Sequence, residues 1–178
     1  ASYASARRAV AVQALVSDFV AQREVRTPAV RAIAPIGQDE IALAVDDVSG
    51  RALDEVAESD LTDDVLHDCW SQVAALRHAR VAHRALSLSN LLLSDDGAVW
   101  VLGFGFAQPG AADGVLAGDV AELWAATYAR GGARRAVAAA RDVVGDAVLS
   151  DAVVRLVPVA LTPDTRSAVK AAPQGTEP

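Results

Sequence analysis

Every strand signal in this chain lies before residue 103, and only helical periodicity follows residue 119. That segregation excludes the alternating pattern of a parallel α/β sheet and predicts an α+β fold with helix in excess. Tyr3 to Glu24 contains neither Gly nor Pro and places Val12, Leu15, Val16, Phe19 and Val20 at helical spacing. Thr27-Pro28 ends that helix. The apolar runs 29–36 and 41–45, split by Gly37-Gln38-Asp39-Glu40, predict a two-stranded hairpin. Residues 46–50 read as a polar connector and 51–58 as one or two helical turns. Ser59 or Asp60 is the expected cap of a long helix, whose buried stripe is Val65, Leu66, Cys69, Trp70, Val73 and Leu76 or Arg77 and which ends near Arg80. A loop over 83–90 then leads into short strands at 91–94 and 98–102, joined by the turn Asp95-Asp96-Gly97. Residues 103–118 hold five glycines and a proline and predict irregular structure. Helices follow at 119–130, 133–144, 149–161 (bent at Pro158) and 163–171, with Pro163 in a first turn. Residues 1–172 read as one domain and 173–178 as a disordered tail.

A chain of 178 residues is long enough to bury a core without disulfides or metals. Apolar residues make up 52% and aromatics only 4%, so that core is built from many small contacts. The net charge of −7 argues against a nucleic-acid binder, which needs a cationic face. A single cysteine excludes a disulfide framework and points to a reducing, cytoplasmic compartment. No run approaches the ~18 apolar residues of a membrane helix. No leader is visible, and a start at Ala1 rather than Met reads as an excerpt of a longer protein.

The chemistry-bearing constellation begins with HRALSLSN at residues 83–90. It resembles the protein-kinase catalytic loop H-R-D-L-x-x-x-N, with His83, Arg84, Leu86 and Asn90 meeting four of the five fixed positions. After the apolar strand Val99-Trp100-Val101-Leu102, residues 103–105 read Gly-Phe-Gly where that family has Asp-Phe-Gly. Asp119-Val120-Ala121-Glu122-Leu123 resembles the start of the buried helix whose Asp anchors the catalytic loop. The resemblance implies a protein-kinase-like helical lobe over 49–172 with a truncated small lobe over 1–48. In that lobe 3–24 is the small-lobe helix, 29–45 its last two strands and 46–50 the hinge. His83, Arg84, Phe104 and Asp119 become structural anchors. The strands that carry the glycine-rich phosphate loop and the phosphate-holding lysine have no counterpart, and Glu24 is a poor candidate for the family's helix glutamate.

The departures decide the expected chemistry. The proton-accepting Asp of the loop is Ala85, and the metal-holding Asp of Asp-Phe-Gly is Gly103. Asn90 alone remains as a vestigial ligand position, and a neutral amide is a weak claim on Mg²⁺. The resemblance therefore implies a pseudokinase, with no catalytic residue, metal or cofactor. Residues 103–118 contain no Ser, Thr or Tyr, so a phosphorylated loop cannot pair with Arg84. So short a loop is more similar to small-molecule kinases of the aminoglycoside phosphotransferase type. More finely, RVAHRALSLSNLLLSDDGAVWVLGFGFAQPG, GDVAELWAATYARGGARRAVAAA and LVPVALTPDTRSAVKA resemble kinase-like domains of actinobacteria that accompany a flippase-like, lysylphosphatidylglycerol-synthase-like membrane region. That implies an interaction or regulatory module, with a protein or the membrane part of the same polypeptide as partner, at the inner face of the membrane. The alternative is a residual nucleotide or small-phosphate binder with weak or unusual phosphotransferase activity.

Plainer readings account for the remaining polar residues. Ser87 or Ser89 with His83 and Asp119 has the composition of a hydrolase triad, but no nucleophile elbow surrounds either serine. Cys69, Trp70, Trp100 and Trp124 read as core, and His67 and His78 lack companions at metal spacing. Arg77, His78, Arg80 and Arg84 read as a solvated positive face, with docking for an acidic partner or anionic lipid headgroups as the alternative.

Overall fold

The computed structural model describes residues 3–37 and 40–172, so the tail expected over 173–178 lies outside the described residues. The fold is α+β and helix-rich, with its two halves built very differently. The first half is helix α1 (Tyr3–Ala21) followed by β1 (Val30–Pro35) and β2 (Ile41–Val45), which pair antiparallel with Ile33 opposite Leu43. On α1, Val16 and Val20 are buried and Val12 and Phe19 half-buried, but Leu15 is 71% exposed. Leu15, expected in the stripe, is thus a correction: it lies at the stripe's margin and faces solvent.

The second half opens with β3 (Gly50–Ala52), where helical turns were expected. Arg51 pairs with Leu93, and that partner 42 positions away overrides the local pattern. Strand β3 joins β5 (Leu91–Ser94) and β6 (Val99–Val101) in an antiparallel sheet of order β3-β5-β6. Helix α2 (Asp63–His78) is capped by Thr62, whose hydroxyl accepts from Val65 N–H at 3.3 Å. Ser59 and Asp60, the expected caps, instead sit in the preceding 3-10 turn. Val65, Leu66, Cys69, Trp70 and Val73 of the expected α2 stripe are buried, Leu76 rather than Arg77 completes it, and Cys69 and Trp70 are fully enclosed. Burial raises the Cys69 thiol pKa well above its ordinary value. Trp100 and Trp124 are only half-buried.

Two further corrections concern helix ends. Helix α3 (Asp113–Val153) starts six residues earlier than the pattern predicts, inside the glycine-rich stretch. Its first turns bury Leu116 and Ala117, and packing of Leu116 against Ala82 and Ala111 outweighs the weak propensity of Gly114 and Gly118. A two-strand pairing of β4 (Val81–Ala82) with β7 (Gln108–Pro109) brings Ala82 to that place. Kinks at Gly132 (φ 78°) and Gly145 (φ 79°) divide α3 into three segments, as a backbone in the left-handed region must. The third segment ends at Val153 rather than running to 161. Pro158 forces the preceding Val157 into extended backbone (φ −118°, ψ 138°), and the chain reaches α4 (Pro163–Ala171) through a 3-10 turn at Pro158–Ala160. One core joins the layers: Leu66, Trp70, Leu76, Leu91, Phe104 and Leu123 belong to a single buried cluster. Each such side chain contributes about 1.5–3 kcal/mol by burial.

Candidate functional site

The loop at 83–90 is held by groups that arrive from three elements. Arg84 takes a left-handed backbone (φ 65°), which turns the chain so that two successive amides point the same way. His83 N–H donates to Asp119 Oδ2 at 2.5 Å and Arg84 N–H to Asp119 Oδ1 at 2.8 Å. Asp119 lies in the second turn of α3, not at its start, so it caps the 83–84 amides rather than its own helix. Its carboxyl is 5% exposed, and burial pushes its pKa up to about 6. The two amide donors pull the other way and favour the ionised form, while nearby Glu122 adds to the rise.

His83 is fully buried and both its ring nitrogens are engaged. Nε2 lies 2.7 Å from the Leu102 carbonyl, and Nδ1 accepts from Ala85 N–H at 3.3 Å. That pattern assigns a neutral ring with the proton on Nε2. Burial lowers its pKa to about 4. The ring meets Phe104 edge-on, with centroids 4.9 Å apart. The structure therefore brings His83, Phe104 and Asp119 into one contact set. It does not assemble a triad: Asp119 bonds backbone amides, His83 faces Leu102 and Ala85, and Ser87 and Ser89 hydroxyls bond each other at 2.7 Å.

Asn90 stands between the two positions that depart from the kinase pattern, bonded to Ala85 and facing Gly103. Asn90 Nδ2–H donates to the Ala85 carbonyl at 2.7 Å, so the amide is turned back onto its own loop. Leu102 N–H donates to Asn90 C=O at 2.9 Å and fastens the loop to β6. Gly103 follows with φ 81°, and a Cβ added there would come 2.7 Å from Asn90 Oδ1. A side chain at 103 is disfavoured by the backbone angle and would require the Asn90 amide to move. Helix α1 packs on the 104–106 turn, with Ala9 3.7 Å from where a Gly105 Cβ would stand. Glu24 is exposed in the turn after α1.

Two further anchors escaped sequence reasoning. Asp68 and Gln72, four apart on the otherwise apolar inner side of α2, hold the segment after α1. Gln72 Oε1 accepts from Arg26 N–H at 2.8 Å, and Asp68 pairs with the Arg26 guanidinium and accepts from Val99 N–H at 2.7 Å. Val101 N–H in turn donates to Arg26 C=O at 2.8 Å. Buried Glu122 accepts from Thr162 N–H at 2.9 Å and from its hydroxyl at 2.5 Å, tying α3 to the cap of α4. A polar pair at helical spacing within an apolar stripe was the available signal for the first, and the buried setting of Asp119-x-x-Glu122 for the second.

Of the basic residues expected as a solvated face, Arg80 pairs with Asp113 in the first turn of α3. Arg77 departs from that expectation: its Nη1 is buried without a hydrogen-bond partner. No group of three or more His, Cys, Asp or Glu side chains suited to a metal occurs among the described residues, and none of their helices is long and apolar enough to cross a membrane. No family model matches the chain, and no curated protein matches it.

Proposed function

We propose that this chain is a catalytically inactive, kinase-like module that acts through interaction or regulation. The observation that supports the reading best is at Gly103: the place of the metal-holding carboxylate has no side chain, its backbone (φ 81°) disfavours one, and the Asn90 amide would have to move to admit one. Ala85 offers no proton acceptor at the other decisive position, and Asn90 spends its amide on the Ala85 carbonyl. Phosphoryl transfer rests on positioned charge, and here both carboxylates are missing. What remains of the loop is a structural tie, with Asp119 receiving two amides and His83 neutral in the core. The partner that fits the sequence resemblance is the flippase-like membrane region of the same polypeptide, or a protein bound beside it.

The test is transfer of label from γ-labelled MgATP to the chain itself and to generic protein acceptors. The expected outcome is no transfer above a no-enzyme control. The double substitution Ala85→Asp with Gly103→Asp is expected to stay inactive. Transfer that depends on Asn90, shown by its loss in Asn90→Ala, would overturn the proposal.

A further inference from the structure

Away from the 83–90 loop, the first and second segments of α3, the 156–161 stretch and α4 line a cleft of about 680 Å³. That volume lies within the range of small-molecule sites. Trp124, Tyr128, Val137 and Leu156 make its walls apolar. At its rim stand Arg166 and Lys170, one helical turn apart on α4, with Val169 between them facing the cleft. Among the described residues no carboxylate lines the cleft and neither cation forms an ion pair. Arg166 holds only the Leu161 carbonyl, at 3.1 Å. An apolar trough with two cations at one edge, neither in an ion pair among the described residues, is complementary to a molecule with one apolar and one anionic end.

We propose that this cleft binds a single-chain anionic amphiphile of the long-chain carboxylate class, with its tail between Trp124 and Val137 and its head against Lys170 and Arg166. A free amphiphile suits the site better than an anionic bilayer or an acidic protein face. The chain carries a net charge of −7, which opposes the approach of an extended negative surface, whereas one small anion meets chiefly the local field of the two cations. Concavity points the same way, since a bilayer needs a face rather than a cleft. The proposal does not depend on the kinase-like reading.

Dodecanoate below its micelle concentration, titrated into the full chain at pH 8 and followed by calorimetry and by Trp124 emission, tests it. One saturable site is expected. Dodecanol and dodecyltrimethylammonium are expected to bind about tenfold more weakly or worse, because a charge-assisted contact is lost or reversed. Lys170→Glu combined with Arg166→Glu should weaken dodecanoate by at least about tenfold. Ala133→Trp, which fills the cleft, should abolish binding while circular dichroism melts report an intact fold. Equal affinity for the three headgroups in the unaltered chain, or no saturable uptake, overturns the proposal. So does sedimentation with phosphatidylglycerol vesicles in the absence of dodecanoate uptake, which would make the cleft part of a bilayer-facing surface.

Discussion

The β1–β2 hairpin and the body around α2 and α3 use similar residues to opposite effect. In the hairpin, Ile33, Ile36 and Val45 are between 44% and 65% exposed, and β1 has no buried residue at all. In the body, Leu66, Trp70, Leu76 and Leu123 are fully enclosed. A two-stranded hairpin has two faces and two edges, and α1 covers only part of them. The contrast teaches that apolar composition does not locate the core. Residues become core where a second layer arrives, and here it arrives through polar ties at buried Asp119 and Glu122 and half-buried Asp68.

The comparison is broken or sharpened most strongly in the core itself. Trp70→Ala should cost about 3–5 kcal/mol in urea unfolding, whereas Ile33→Ala on the hairpin should stay within about 0.5 kcal/mol. Similar costs at both sites would show that the hairpin shares the core. Asp119→Ala comes next, leaving the buried His83 amide and the partly buried Arg84 amide without their acceptor. A loss of about 2–4 kcal/mol is expected, since each orphaned buried donor costs about 1–3 kcal/mol. Asp113 is a correction as well as a control: it lies in the first turn of α3 and pairs with Arg80, not in a flexible loop. That pair is exposed, so Asp113→Ala should leave the midpoint unmoved.

A smaller effect follows from the opposed titrations of His83 and Asp119. His83 stays neutral in the fold down to about pH 4 while the unfolded ring takes a proton near 6.5, so its contribution is lost as pH falls through that window. Asp119, held near 6 against 3.8, behaves oppositely: its contribution is lost as pH rises from about 4 to 6. Each amounts to at most about 3 kcal/mol, and between pH 4 and 6 the two slopes offset one another. Urea midpoints of Asp119→Asn should therefore fall more steeply than those of the unaltered chain on acidification from pH 6.5 to 4. Parallel profiles would remove the burial of one or other group from the account.

Much of this was legible in the sequence. The α2 stripe and the 91–101 hairpin follow from periodicity and an Asp-Gly turn, and the breaks in α3 fall between the expected helices. The association of His83, Phe104 and Asp119 was legible only through the kinase-like motif order, because no local pattern joins residues 36 positions apart. Strand β3 and the β4–β7 pairing were illegible for a related reason: two- and three-residue strands carry no alternation, and their partners lie far along the chain. Propensity misplaced the start of α3, where burial of Leu116 outweighs two glycines. The cleft beside α4 had no signal of its own, since it forms only where Pro158 breaks the helix and sends the chain back past Trp124.

Thermal unfolding of the full chain with and without millimolar MgATP tests the central claim most directly. A ligand at ~100 times its Kd adds roughly 2.7 kcal/mol, which at this chain length raises Tm by about 5–10 °C. With Ala85 and Gly103 where the kinase motif that the sequence resembles has carboxylates, and Asn90 bound to its own loop, the proposed reading predicts no shift. A saturable rise of several degrees that disappears in Asn90→Ala would contradict the account and make the 83–103 region a nucleotide site.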